Sequence, residues 1–263
     1  MKPLEGLAGL NILVTRPVQS NAKLAELIRA AGGEAILFPT LEIVGIVDCA
    51  PLYAIIDRLE QFDLAVFISP NAVDRGMALI RSKRELPPAL KIAAVGQGSA
   101  NALTRQGING VLVASAGNDS EALLTLPELQ QVAGWRVVIF RGEGGRETLK
   151  EELERRGAEV TYAECYRRRK PESDPAPLQA LGESGKIAAI TATSTESARN
   201  LRDMLGENSW AWLKRIPLFV LHPRIAAAAG ELGWEREKVF VTGPGDDGLV
   251  EGLIEWRNRE KQK

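Results

Sequence analysis

Short apolar runs rich in β-branched residues alternate along this chain with longer stretches whose apolar positions recur every three or four residues. Ile12-Leu13-Val14-Thr15 is too short for a helix and is continuously apolar, the pattern of a strand buried on both faces. Leu24, Leu27, Ile28 and Ala31 then share one helical face. Ser20 or Asn21 is expected to cap this helix, and Gly32-Gly33 to end it. Similar β-then-α units are predicted within Leu64–Ile80, Ile92–Gln106, Trp135–Arg156, Ile187–Leu205 and Leu218–Leu232. Strands alternating with helices imply parallel sheets covered on both faces.

The pattern is written twice. A shift of about 125 residues places Ile12–Arg16 on Val137–Arg141, Leu24 on Leu149, Ile28 on Leu153, Gly32 on Gly157 and Glu34 on Glu159. Further along, Phe67–Asn71 is set against Thr191–Thr195. Val95-Gly96 then meets Leu221-His222, and Gly117–Glu121 meets Gly243–Asp247. Caps, glycines and arginines matched in series point to an ancestral duplication and two similar open α/β domains. Two stretches break the rhythm at equivalent points, Phe38–Val47 and Tyr162–Pro177. The second carries Arg167-Arg168-Arg169-Lys170 followed by Pro171, Pro175 and Pro177. They fit two chain crossings between domains, and a simple split near residue 130 fits the periodicity as well.

Composition narrows the chemistry. With 263 residues, the chain can bury a sizeable core without disulfides or metals. Its 33 Lys+Arg and 34 Asp+Glu leave a formal charge of −1, so no global field draws it to nucleic acid or an anionic membrane. Two cysteines without a CxxC pair and a single histidine argue against a zinc knuckle, a thioredoxin-type site and a His-rich metal site. The opening Met1–Gly6 lacks the apolar core of a secretory signal, and no apolar run approaches the ~20 residues of a membrane helix. A cytoplasmic protein with reduced cysteines is expected.

In open parallel sheets ligands gather beyond the carboxyl ends of the strands. The segments there include Thr15-Arg16-Pro17, Ser69-Pro70-Asn71, Gly96–Ser99, Gly117–Ser120, Arg141–Arg146, Thr193–Glu196, His222-Pro223-Arg224 and Gly243–Asp246. Small, hydroxylated and cationic residues let helix N-terminal amides face an anion, although any one such loop also reads as a plain helix cap. Eight of them on a common cleft point to a large polyanion. Nucleotide motifs are poor: Gly96-Gln97-Gly98 lacks the third glycine, and Gly142–Arg146 lacks the Walker lysine. Arg16 and Arg141 hold the same repeat position, as carboxylate clamps or as solvated charges. The 167–170 run reads as a solvated face and His222 as a loop residue. Tyr162 and Tyr166 read first as packing, with Tyr166 the alternative weak acid in an interdomain cleft. Trp135 and Trp234 look like packing residues.

These residues together resemble the uroporphyrinogen-III synthase family. The resemblance rests on Val14-Thr15-Arg16-Pro17, Phe67-Ile68-Ser69-Pro70-Asn71-Ala72-Val73, Ala94-Val95-Gly96, Phe140-Arg141-Gly142 with Arg146-Glu147-Thr148-Leu149, and Val160 through Tyr166. The Gly107 and Gly233 turns extend it over about residues 10 to 254. The resemblance implies two flavodoxin-like (Rossmann-like) parallel-sheet domains joined by a two-stranded linker. One would comprise 1–40 and 168–263, and the other 41–167, with linker segments near 38–47 and 162–170. It implies cyclisation of linear hydroxymethylbilane, a tetrapyrrole polycarboxylate, to uroporphyrinogen III with loss of water and inversion of the last ring. Tyr166 matches the family tyrosine near the departing hydroxyl and is the candidate acid. Arg16, Ser69, Asn71, Gly96, Ser99, Arg141, Gly142, Arg146, Thr193, Ser194, Thr195 and Arg224 are the candidate substrate contacts, many of them through backbone amides. His222-Pro223-Arg224 departs from the small residues usual there. No metal or organic cofactor, nucleic acid or membrane is implied. A monomer is, with transient contact with the preceding deaminase. The competing readings are a non-catalytic two-domain binding module for a small polyanion, and a glycosyltransferase, for which the chain is short and lacks a clear nucleotide site.

Overall fold

The computed structural model describes residues 5–117 and 119–262; Met1–Leu4 of the opening segment and Asn118 of the Gly117–Ser120 loop lie outside the described residues. The chain begins with β1 (Asn11–Val14), α1 (Val18–Ala30) and β2 (Glu34–Leu37). It continues through β3 (Glu42–Val44), α2 (Ala50–Ile56), β4 (Leu64–Phe67), α3 (Pro70–Arg81), β5 (Lys91–Ala94), α4 (Gln97–Arg105) and α5 (Ser120–Leu123). Next come β6 (Arg136–Gly142), α6 (Thr148–Arg155) and the long β7 (Glu159–Arg169). The last part holds α7 (Ala176–Glu183), β8 (Ala189–Ala192), α8 (Thr195–Leu205), α9 (Glu207–Leu213), β9 (Leu218–Val220), α10 (Pro223–Glu231), β10 (Val239–Val241) and α11 (Gly245–Glu260). No helix among the described residues is long and apolar enough to cross a membrane.

The chain divides into two compact units, Met1–Glu42 with Arg169–Lys263, and Ile43–Arg168. The first unit holds the five-stranded sheet β10-β9-β8-β1-β2, whose pairings are all parallel. The second holds the sheet β3-β7-β6-β4-β5, with β5–β4–β6–β7 parallel. A split near residue 130 would have parted β4 from β6, yet these two strands pair from Leu64↔Val137 to Phe67↔Phe140.

The repeat reappears as strand register. Ile12 pairs with Ala35 and Ala189 in the first sheet, and Val137 pairs with Val160 and Leu64 in the second. Gly32 and Gly157 both carry positive φ (85° and 89°) where α1 and α6 end, the left-handed stop that glycine adopts without steric cost. The structure moves one pairing. Ser69 caps α3 and Ser194 caps α8, so Ser194 rather than Thr193 is the counterpart of Ser69.

Both sheets are apolar on both faces, as crossover helices require. In β1, Ile12 and Val14 enter one cluster with Leu24, Ile28 and Leu249, while Leu13 faces another with Leu201, Leu218 and Val220. Each such fully buried aliphatic contributes about 1.5–3 kcal/mol of transfer free energy. In the second unit, Phe67 and Phe140 stack at 4.7 Å across the β4–β6 pair, and α3 reaches their rings through Gly76. A Cβ at Gly76 would lie 2.9 Å from Phe140 Cδ1, which explains a glycine inside this helix. The expected Ser20 or Asn21 cap is corrected: α1 starts earlier, at Val18 after an extended Pro17. Ser20 N–H bonds Pro17 O at 2.9 Å, and Asn21 is buried within the helix. Proline before the first turn supplies the entry geometry, so no polar cap is used. Trp234 is buried with Trp210 edge-on at 4.6 Å, a packing role.

Candidate functional site

In the second unit the chain leaves β6 towards β7 on one side, while β4 and β5 lie on the other. The carboxyl ends of β4 and β6 therefore flank the point where strand order reverses, the position at which open sheets bind ligands. A cavity of about 340 Å³ opens there, lined among others by Ile68, Val95, Gly142, Arg146, Tyr162 and Tyr166.

The position of Tyr166 follows from a one-residue register shift. Arg141 stands opposite Glu164, but Gly142 stands opposite Tyr166, so Cys165 is an extra residue in β7. Before the shift β7 alternates: Val160 and Tyr162 face the cluster of Leu149 and Leu153, and Ala163 the cluster of Phe67 and Phe140. After it, Cys165 and Tyr166 both belong to the second cluster, and Glu143 N–H bonds Tyr166 O at 2.8 Å. Without the extra residue, strand alternation would send the Tyr166 ring to the opposite face.

The Tyr166 ring is buried, and its hydroxyl lies 3.1 Å from Ser69 Oγ. Ser69 Oγ also accepts the Ala72 N–H at 3.1 Å as the cap of α3. Gly142 is where the ring meets backbone: a Cβ there would lie 2.6 Å from Tyr166 Cε2. Gly142, expected as a substrate contact, is thus first the residue that makes room for the tyrosine. Of the two sequence readings of Tyr166, the ring shows packing, and Tyr166 is also among the residues that line the cavity.

Arg141 is corrected on both expectations. It is neither a solvated charge nor a free clamp, being only 2% exposed. Its guanidinium donates to Gly142 O at 3.3 Å, to Gly144 O, and to Glu147 Oε1 at 3.1 Å, and it lies 4.2 Å above the Tyr162 ring. A buried guanidinium is tolerated only when its donors are matched, and here the β6–α6 loop matches them. Tyr162 donates to Glu147 Oε2 at 2.6 Å. Burial and this carboxylate raise the Tyr162 phenol, while the bond from Tyr162, then Arg141, lowers Glu147. Tyr162 therefore stays protonated, and Glu147 ionised.

The other expected contacts divide. Arg146 lines the cavity but is ion-paired with Glu121. Ser99 is buried, and its hydroxyl donates to Val95 O at 3.0 Å. Gly96, with φ 76°, caps α4, and Asn71 lies half-buried in the first turn of α3. Arg16, Thr193, Ser194, Thr195 and Arg224 belong to the first unit. There Arg16 is ion-paired with the largely buried Asp246. Ser194 Oγ accepts Ser197 N–H at 3.0 Å, Thr193 and Thr195 are half-buried, and Arg224 is exposed. His222 is the cap of α10, its Nδ1 accepting Arg224 N–H at 3.1 Å.

Sequence reasoning missed the roles of Tyr162 and Glu147 as partners of Arg141, because their meeting depends on the return of β7 beside β6. It also set aside Arg168, which lines the cavity. The signal available was spacing, since Arg168 stands two residues beyond Tyr166 on what proves to be one strand. No group of three or more His, Cys, Asp or Glu among the described residues is placed to hold a metal ion.

Two predictions follow from this geometry. Gly142→Ala should cost about 1–3 kcal/mol in urea denaturation. That cost should shrink in a Tyr166→Ala background by more than about 0.5 kcal/mol, and strict additivity would disprove the contact. Burial pushes the Cys165 thiol up to about 12, whereas Cys49 is only half-buried. A disulfide reagent at pH 8 should therefore titrate one thiol in the native protein and two in denaturant.

The family model described as Uroporphyrinogen-III synthase HemD matches residues 22–251. The chain is 36% identical to the uroporphyrinogen-III synthase of Salmonella typhimurium over 248 residues, covering 93% of this chain and 100% of that one. It is 33% identical to the Escherichia coli protein of the same name, with the same coverage. Among solved structures, a mutant uroporphyrinogen III synthase from Thermus thermophilus superposes with a TM-score of 0.65 at 18% identity, over 97% of this chain and 100% of that one. The Helicobacter pylori uroporphyrinogen-III synthetase superposes with a TM-score of 0.58 at 15% identity, over 95% and 99%. At these identities the structural likeness shows the α/β fold with parallel sheets.

Proposed function

This chain belongs to the uroporphyrinogen-III synthase family, and on that premise we propose that it cyclises hydroxymethylbilane to uroporphyrinogen III, with loss of water and inversion of the terminal pyrrole ring. We read each unit as a flavodoxin-like domain, with the neighbouring strands β3 and β7 as the linker through which the chain passes from one to the other and back. The observation that carries the reading is Tyr166, whose hydroxyl is held on Ser69 and which lines the cavity beyond the β4 and β6 ends.

The chemistry needs a proton donor at the leaving oxygen. Ser69 Oγ already accepts the Ala72 amide, so its own hydrogen can point to the Tyr166 oxygen and leave the phenol hydrogen free for the substrate. Such a chain of donors polarises each link, and Tyr166 protonates the departing hydroxyl as general acid. The C–O bond breaks, water leaves, and the pyrrole nitrogen lone pair delocalises the resulting cation. The terminal ring attacks through its substituted carbon, the spiro intermediate fragments, and the ring recloses reversed with loss of a proton. The steps are redox-neutral. Holding the chain so that attack at the substituted carbon outruns direct closure is the larger task. Asn71 and Gly96 in the second unit, and Arg16, Thr193, Ser194, Thr195 and Arg224 in the first, are the proposed further contacts for acetate and propionate groups. For Arg16 this requires exchange of its Asp246 partner.

The test supplies fresh hydroxymethylbilane, oxidises the products and separates uroporphyrins I and III against a no-enzyme control. Predominant isomer III is expected. Isomer I alone at the uncatalysed rate, from folded protein, would reject the reading in favour of a polyanion-binding module. Tyr166→Phe should lose about tenfold in kcat without abolishing turnover, and a kcat within about twofold of wild type would remove the general-acid role.

A further inference from the structure

Four cations follow Tyr166, and the structure separates them. Arg169 is ion-paired with Glu42, and Lys170 lies 3.9 Å from Asp203. Arg167 is half-buried and lines a different cavity beside Asp48, Glu143 and Glu164. Arg168 lines the Tyr166 cavity, is exposed, and makes no ion pair, hydrogen bond or ring contact among the described residues.

The other two arginines of that cavity are engaged. Arg141 is held by Glu147 and the loop carbonyls, and Arg146 by Glu121. The acids there do not engage Arg168. Asp119 accepts the Ala122 N–H at 2.8 Å as the cap of α5, and Glu143 is exposed without an ion pair among the described residues. The cavity thus presents one arginine free of acidic partners. Arg168 stands two positions past Tyr166 on β7, beyond the register shift, so both side chains leave the same face of the strand roughly 6.6 Å apart along it. A pyrrole whose hydroxymethyl group sits at the phenol carries its acetate and propionate arms within that reach.

Resting on the reading above, we infer that Arg168 is a substrate-binding residue whose guanidinium takes a carboxylate of the ring that carries the leaving hydroxyl. A guanidinium matches a carboxylate with two parallel donors, so it orients that ring as well as attracting it. Tyr166 supplies the proton, and Arg168 sets which oxygen lies beneath it.

The experiment compares Arg168→Ala, Arg168→Lys and Arg169→Ala with wild type in two readouts. These are KM against kcat for hydroxymethylbilane, and fluorescence titration with uroporphyrin I, an octacarboxylate probe that needs no turnover. Arg168→Ala should raise both KM and the uroporphyrin Kd by about tenfold or more, with Tm unchanged because the side chain is exposed. Arg168→Lys should recover part of the loss by keeping charge without the fork. Arg169→Ala removes the same charge one residue on and should stay within about twofold of wild type. An unchanged Kd in Arg168→Ala, an equal shift in Arg169→Ala, or no saturable uroporphyrin binding by wild type would overturn the assignment. If wild type yields only isomer I while the Arg168 and Arg169 variants still differ in uroporphyrin binding, the carboxylate site stands and the synthase reading falls.

Discussion

The second unit depends on the approach of one aromatic ring to one backbone position. The Tyr166 ring lies where a Gly142 side chain would be, and only the extra residue in β7 brings it to that face. Three features converge on this contact: the shift in β7, the absence of a Cβ at Gly142, and the α3 cap at Ser69, which receives the hydroxyl. Remove any one and the phenol has no defined place. The ring buries apolar area among Phe67, Phe140 and Cys165, while its hydroxyl meets Ser69 Oγ. A tyrosine gains from such a half-apolar position where a smaller acid would pay full desolvation.

Arg141 supports the same region by another route. Burying a guanidinium costs several kcal/mol, and the cost is offset because the β6–α6 loop turns two carbonyls and Glu147 inwards to meet it. The charge therefore shapes the loop that contains Gly142. The Tyr162 face above it and the Tyr162–Glu147 bond close the arrangement, coupling the loop to β7 on the other side of the register shift. A group that looks like a ligand clamp in one dimension acts as the internal brace of a glycine-rich loop.

The two sheets share strand register but not chemistry. The counterparts of Gly142 and Tyr166 in the first unit are Pro17 and Leu41, so no phenol can occupy the equivalent position there. Arg16 corresponds to Arg141, yet it meets Asp246 from α11 rather than a residue of its own loop. The cap serines Ser69 and Ser194 survive in both units because each helix start needs an acceptor for its second or third amide. What both units retain is the amide-rich end of a parallel sheet; what one adds is a buried tyrosine bonded to the helix-cap serine.

The strands at Ile12, Val66, Val138 and Ile190, the glycine stops at Gly32 and Gly157, and the repeat were legible in the sequence. Each is set by local rules: apolar runs bury, and positive φ selects glycine. The helix start at Pro17 was not, because an extended proline can replace a polar cap without leaving a distinctive signal. Tertiary structure alone decided the strand neighbours of β1 and β6, the burial of Arg141, and the face from which Tyr166 and Arg168 emerge. These rest on pairings between residues far apart in the chain, and on a one-residue register shift that reverses side-chain direction while leaving the apolar pattern of the strand unchanged.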